Sequence, residues 1–317
     1  MARSVGLSFA ARRLATLAAT RIGRWTSLLS ILALLLFSGL SRYSGSSASS
    51  TCRLSLSRVV SHRGVDEDEH GPVPSTLSQI ERLLDDGFGS FDLDVFWAAD
   101  TSVTSLFIGH PPSLRKQWHL DDEVHATPLE TLQAKSQSQG GMLRLSDLLG
   151  MLARRKADVG QVSLELKFPS HPAWRHKLGL LYAQLAAHKL LDGRIAGIVL
   201  THDEAAAHRQ AQQAVGLRVP LLCVLRDNDA PVGADGQPHA NVSALRRADG
   251  TYDGWAPSVK LLEPSLKAAT GQRPLLVWTV DSEAHLRLAY LHNPHDIVSN
   301  RPRWARRTLQ QWQREEC

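Results

Sequence analysis

Eight apolar strand candidates separated by helix-length stretches predict a (β/α)8 barrel, a single domain from residue 51 to residue 317. Three observations carry that expectation. Strand-like runs alternate with stretches of helical period, the arrangement of parallel strands joined by helical crossovers. No Gly-x-Gly-x-x-Gly follows the first strand, so the dinucleotide-binding form of such a sheet has no signature here. The polar residues of interest gather at the C-terminal ends of strand candidates, where a closed (β/α)8 barrel carries its active site.

The elements follow in order. LSRVVSH (56–62) reads as the first strand and STLSQIERLLDDG (75–87) as a helix ending at Gly87. FDLDVFW (91–97) and SLFIGH (105–110) are two further strands. RLSDLLGMLARRK (144–156) has apolar residues at three- and four-residue spacing, a helical period, and precedes the strand QVSLELKF (161–168). Helix 173–191 then leads to strand IAGIVLTH (195–202), helix 203–216 to strand VPLLCVL (219–225), and helix 263–272 to strand PLLVWTV (274–280). A helix over 282–293 precedes the last strand, DIVSN (296–300). Trp304 and Trp312, in the basic tail, are expected to pack a terminal helix.

Residues 1–50 are set apart from this pattern. Nine arginines precede the first acid, Asp66, and the run WTSLLSILALLLFSGL (25–40) is apolar and followed by a Ser/Gly-rich linker. The run is close in length to a membrane-spanning helix. It predicts a targeting or signal-anchor segment with membrane association, and arginines on its N-terminal side place the barrel in a lumen or outside the cell. A mitochondrial presequence is the alternative, because the first 25 residues are Arg-rich and free of acids. The sequon at Asn241 fits the secretory route.

The net charge of +5 therefore reports targeting before ligand preference. No basic stripe with interleaved aromatics is present, which speaks against a nucleic-acid partner. Cys52, Cys223 and Cys317 form no C-x-x-C and no disulfide framework. Cys223, in an apolar run, is expected to be a buried free thiol.

Asp92 and Asp94 lie two apart in a strand and so share one face. Facing a barrel lumen, paired carboxylates are costly unless a cation sits between them. Glu165 and Lys167 repeat the spacing and bring a third acid and a cation to the same space. Hard oxygen ligands suit a divalent cation such as Mg2+ or Ca2+. His62 and Arg63 end the first strand before Gly64, and His110 ends another. Acids to hold an ion, cations to meet an anion and histidines to move protons read as a metal-plus-phosphate site.

Several polar residues are set outside it. The acidic run 66–70 is expected to be a solvated loop, His202-Asp203 a helix start, and His171, His176 and His188 exposed.

HRG (62–64), DLDV (92–95), GH (109–110), LELK (164–167) and the segment 275–302 resemble, in order and spacing, the glycerophosphodiester phosphodiesterase family. That family belongs to the phospholipase C-like phosphodiesterases with a TIM-barrel fold. The resemblance runs from Val59 to Trp304. It implies a metal-dependent phosphodiester hydrolase acting on glycerophosphodiesters or lysophospholipids, with His62 and His110 as acid and base. It further implies Asp92, Asp94 and Glu165 as metal ligands, Arg63 and Lys167 on phosphate, and Trp278 beside the leaving group.

Three departures stand out: Asp92 where the family has Glu, Ser75 in place of a Glu-containing segment, and Pro111 after His110 where an Asp is usual. In these the chain is similar to a fungal, altered-inheritance-of-mitochondria-like branch. A non-catalytic barrel and a cyclising, phospholipase D-like enzyme are the alternative outcomes.

Overall fold

The computed structural model describes residues 59–316 apart from 71–74, 100–105, 189–192, 232–237, 241–244 and 246–249. The described residues lie in one unit, Cys52–Cys317. The N-terminal segment 1–50, the sequon at Asn241, Cys52 and Cys317 fall outside them. Among the described residues no helix is long and apolar enough to cross a membrane.

In chain order the elements are β1 (Val59–His62), α1 (Glu67–His70), α2 (Leu77–Asp85), β2 (Phe91–Trp97), β3 (Leu106–Ile108), α3 (Pro111–Gln117), α4 (Leu129–Ser136), β4 (Leu143–Arg144), α5 (Leu145–Arg154) and β5 (Val162–Leu166). There follow α6 (Trp174–Ala187), β6 (Ile195–Val199), α7 (His202–Ala214), β7 (Leu221–Leu225), β8 (Gly254–Pro257), α8 (Pro264–Thr270), β9 (Leu276–Val277), α9 (Glu283–His292), β10 (Asp296–Ser299) and α10 (Pro302–Glu316).

Eight parallel strands run in the order β8-β7-β6-β5-β2-β1-β10-β9. Parallel bridges Trp255–Leu275 and Ser258–Trp278 bring the two ends of that order together, as a (β/α)8 barrel requires. Period-2 alternation divides the side chains. Phe91, Leu93, Val95, Val162, Leu164 and Ile297 point outward into the main core, against α2, α5 and the later helices. Val60, Ala196, Ile198, Leu222, Ala256, Leu276 and Val298 point inward and form a separate cluster that fills the lumen below the mouth.

Local signals placed several helices. Thr76 accepts from the Gln79 amide while the Gln79 side chain accepts from the Thr76 amide, a reciprocal cap that starts α2. Thr201 caps α7, which opens on His202-Asp203 as expected. Helix α10 packs Trp312 against Tyr290, with the Arg287 guanidinium over the indole. Cys223 is buried and free, and burial pushes its thiol up to about 11.

The structure corrects four expectations. SLFIGH is not a barrel strand: β3 pairs antiparallel with β2 and with β4, as a ribbon hung on the C-terminal end of β2. The eighth barrel strand is instead β8, Gly-Trp-Ala-Pro, whose Gly and Pro hide it from any propensity count. Gly254 is required there, because a Cβ would lie 2.6 Å from the Leu222 side chain and 2.8 Å from the Pro274 carbonyl oxygen. Residues 66–70 are not a solvated loop: Asp66 is buried and pairs with Arg303, Asp68 pairs with Arg301, and Glu67–His70 is a helical turn. His171 and His188 are half-buried, the His171 ring against His125 and Trp97, while His176 is exposed as expected.

Candidate active site

The C-terminal mouth of the barrel opens into a cavity of about 200 Å3. Its lining includes all eight residues predicted for the site: His62, Arg63, Asp92, Asp94, His110, Glu165, Lys167 and Trp278. Strand register explains the grouping. His62 pairs with Asp92 across β1 and β2, and Asp94 pairs with Glu165 across β2 and β5, so three adjacent strands deliver two successive rows of inward-facing groups. His110 arrives by another route. The antiparallel return of β3 brings Gly109 back beside its starting strand, where its amide donates to the Asp94 carbonyl.

The first turn of the mouth is tightly specified. Arg63 and Gly64 both have left-handed backbone, and a Cβ on Gly64 would lie 2.9 Å from the Ile80 side chain. The buried Ser75 hydroxyl donates to the Arg63 carbonyl and holds this turn. Thus the residue that departs from the family pattern has a structural use. Arg63 is thereby aimed at the site, its Nε 3.6 Å from Asp94 Oδ2.

Lys167 is the central cation. Its Nζ lies 2.6 Å from Asp94 Oδ1 and 2.7 Å from Glu165 Oε1. Burial works against ionisation of both Asp94 and Lys167, but their attraction prevails, holding the carboxyl below and the ammonium above their ordinary ranges. Asp92 has no such partner. Burial, then repulsion from Asp94 and Glu165, pushes its carboxyl up to about 8.

His62 belongs to a chain that the sequence reading missed. Its Nδ1 lies 2.7 Å from Asn300 Oδ1, and the Asn300 Nδ2 donates to Asp281 Oδ2 at 2.7 Å. Asp281 Oδ1 accepts from the Asn300 amide at 2.8 Å. Because the amide nitrogen of Asn300 is committed to Asp281, its oxygen faces the imidazole. Nδ1 of His62 therefore carries the proton and Nε2 is left as the basic atom. Burial, then the Arg63 charge, pulls His62 down to about 4, so the ring is neutral at pH 7. Burial likewise outweighs Asp94 at His110, lowering it to about 4. Its Nδ1 faces the Ser113 hydroxyl at 2.9 Å, a partner able to donate or accept.

The far wall differs in character. Ile198, Val224, Ala256, Leu276 and Trp278 present apolar surface, with Arg226 at the rim. Trp278 commits its only polar atom to the Ala256 carbonyl at 2.6 Å. One half of the mouth carries the acids and histidines; the other is mainly apolar, broken by Arg226 and Thr279.

The donor set suits a hard divalent cation: three carboxylates, one of them with a buried oxygen, Asp94 Oδ2, that accepts no hydrogen bond. As they stand, however, no three His, Cys, Asp or Glu side chains among the described residues converge on one point. The Lys167 ammonium bridges two of the three acids instead.

Comparison with solved structures finds the same barrel. A protein of Silicibacter pomeroyi assigned to the glycerophosphoryl diester phosphodiesterases matches 81% of this chain and 94% of its own, with TM-score 0.62 and 17% identity. A glycerophosphodiester phosphodiesterase of Parabacteroides distasonis matches 80% and 97%, with TM-score 0.61 and 16% identity. A phosphodiesterase of Oleispira antarctica, in complex with its product sn-glycerol-3-phosphate, matches 80% and 96%, with TM-score 0.55 and 16% identity. No family profile matches the chain, and no curated protein does. At these identities the likeness establishes the fold, and the chemistry must be argued from the mouth.

Proposed function

We propose that this chain is a phosphodiester hydrolase acting on glycerophosphodiesters or lysophospholipids. The observation that carries the reading is the neutral His62, held with Nε2 free by the Asn300–Asp281 pair, in one cavity with His110, Arg63 and Lys167. His62 takes the proton of the attacking oxygen through Nε2. His110 must first take up a proton, which the neighbouring Asp94 charge favours, and then passes it to the departing alkoxide. Arg63 and Lys167 meet the phosphate, as cations do at sites where charge grows on phosphoryl oxygens.

Asp92, Asp94 and Glu165 are the residues that would hold an Mg2+ or Ca2+ ion, which when bound supplies Lewis-acid polarisation of the phosphoryl group. The apolar wall favours a substrate with one lipid arm, a lysophospholipid, since a bare polyol would find few partners along Ile198, Val224 and Leu276. An N-terminal anchor over residues 1–50 would suit such a substrate, holding the barrel beside a membrane on the lumenal or outer side.

Assaying a panel of glycerophosphodiesters and lysophospholipids with and without EDTA tests this directly. Hydrolysis that EDTA abolishes is expected, fastest on lysophospholipids. No turnover of any member would leave the non-catalytic barrel, a reading that the bridging Lys167 favours. Phosphorus NMR of the products separates hydrolysis from cyclisation, since a cyclic phosphate would mark the latter.

The missed chain makes a second prediction. Asn300→Ala frees the imidazole to rotate and to change tautomer, so kcat is expected to fall about 10- to 100-fold, the scale seen when a partner that orients a histidine is lost. KM should change little. An unchanged kcat would remove Asn300 from the catalytic arrangement.

A further inference from the structure

We propose that Lys167 is an internal competitor for the ion site: it pairs with Asp94 and Glu165, and a divalent ion must displace it to bind. This rests on the reading of Asp92, Asp94 and Glu165 as ion ligands.

The geometry leaves little alternative. An ion accepts carboxylate oxygens at about 2.0–2.6 Å. The Lys167 ammonium already sits 2.6 Å from Asp94 Oδ1 and 2.7 Å from Glu165 Oε1. A dication drawn to the same two oxygens would face that ammonium at close range in a partly buried mouth, where both like charges repel strongly. The side chains involved are shielded: Lys167 is 18% exposed, Glu165 22% and Asp94 9%. Meanwhile Asp94 Oδ2 accepts no hydrogen bond, and Asp92 lines the same cavity, where the charges of Lys167 and Arg63 offset only part of the burial and the repulsion from the other acids. Two of the three acids are thus engaged by the lysine, and an ion drawing on the same oxygens would have to move it.

Two consequences follow. Ion affinity in the native chain is reduced by the fraction of time for which the bridge is made, since only the bridge-free state can bind. The displaced ammonium becomes available to a phosphate oxygen, so that loading the ion and preparing the anion site become one event. Arg63, 3.6 Å from the other oxygen of Asp94, makes no comparable bridge and serves as the control.

The test is calorimetric titration of Mg2+ and of Ca2+ into the wild-type protein, Lys167→Met and Arg63→Met. Displacement predicts that Lys167→Met binds about tenfold or more tightly than wild type, and that Arg63→Met gains clearly less. Equal gains would mean that removing any nearby positive charge suffices, and would overturn the proposal. So would a Lys167→Met protein that binds no more tightly than a wild type that does bind; the ion site itself would then stand. No binding to either protein overturns the ion site and the proposal together. Should Lys167→Met fail to fold, Lys167→Gln keeps donors toward the acids without the charge, and the same comparison applies.

Discussion

The His62→Ala protein is expected to hydrolyse phosphodiesters about 100- to 10,000-fold more slowly than wild type, the range for loss of one general acid or base. His110→Ala should fall in the same range. The double variant should lose far less than the product of the two, because a base without its acid partner has little left to contribute. The fold should survive, since each histidine sits at the mouth and not in the packed core. Losing the His62–Asn300 hydrogen bond costs about 1 kcal/mol. Circular dichroism and a melting curve beside the kinetics separate lost chemistry from lost structure. Full activity in either single variant would rule out the paired-histidine mechanism.

The second large effect sets Asp92 against Asp94. Both changes to asparagine should abolish ion-dependent turnover, yet in ion-free protein they should move stability in opposite directions. Asp94 pairs with Lys167 and stands beside Arg63, so Asp94→Asn leaves buried cations short of a partner. A cost of about 3 kcal/mol is expected. Asp92 carries a carboxyl raised to about 8, well above its ordinary value of about 4. A raised acid binds its proton more tightly folded than unfolded, so it opposes folding at pH 7, and the penalty grows as pH rises from about 4 to about 8. Asp92→Asn removes that penalty and should stabilise the protein at pH 7 by up to about 4 kcal/mol. The gain should vanish near pH 4. Urea unfolding in EDTA at the two pH values reads both signs. Equal destabilisation by the two substitutions would mean that the acids share the local cations evenly.

Much of this site was legible in the chain. The i, i+2 spacing of Asp92 with Asp94 and of Glu165 with Lys167 is a local property of a strand, and the barrel turns each pair into its mouth. His62-Arg63-Gly64 could be read the same way, because the left-handed turn needs its glycine. Asn300 and Asp281 could not. Nothing in VSN or TVD announces a hydrogen bond to a histidine more than two hundred residues away. Their only signal was position, both falling at strand ends at the same mouth. Ser75 and Ser113 are equally quiet in sequence, since a serine beside a turn is ordinary until its hydroxyl has a partner. The exchange of SLFIGH for Gly254–Pro257 as a barrel strand has a similar cause. An apolar run marks burial but not pairing direction, and a four-residue strand held by glycine contact has almost no pattern.

By itself, then, the sequence determined the alternation of strands and helices, which residues share a strand face, and which eight polar or aromatic groups reach one mouth. The first two follow from periodicity; the choice of the eight groups drew also on the ordered motifs of the family resemblance, Trp278 above all. Only the tertiary structure decided which nitrogen of His62 is free, which strand closes the barrel, and that Lys167 bridges Asp94 and Glu165 rather than Asp92. Those are distances between segments far apart in the chain, set by how strands register and side chains pack, and no local pattern encodes them.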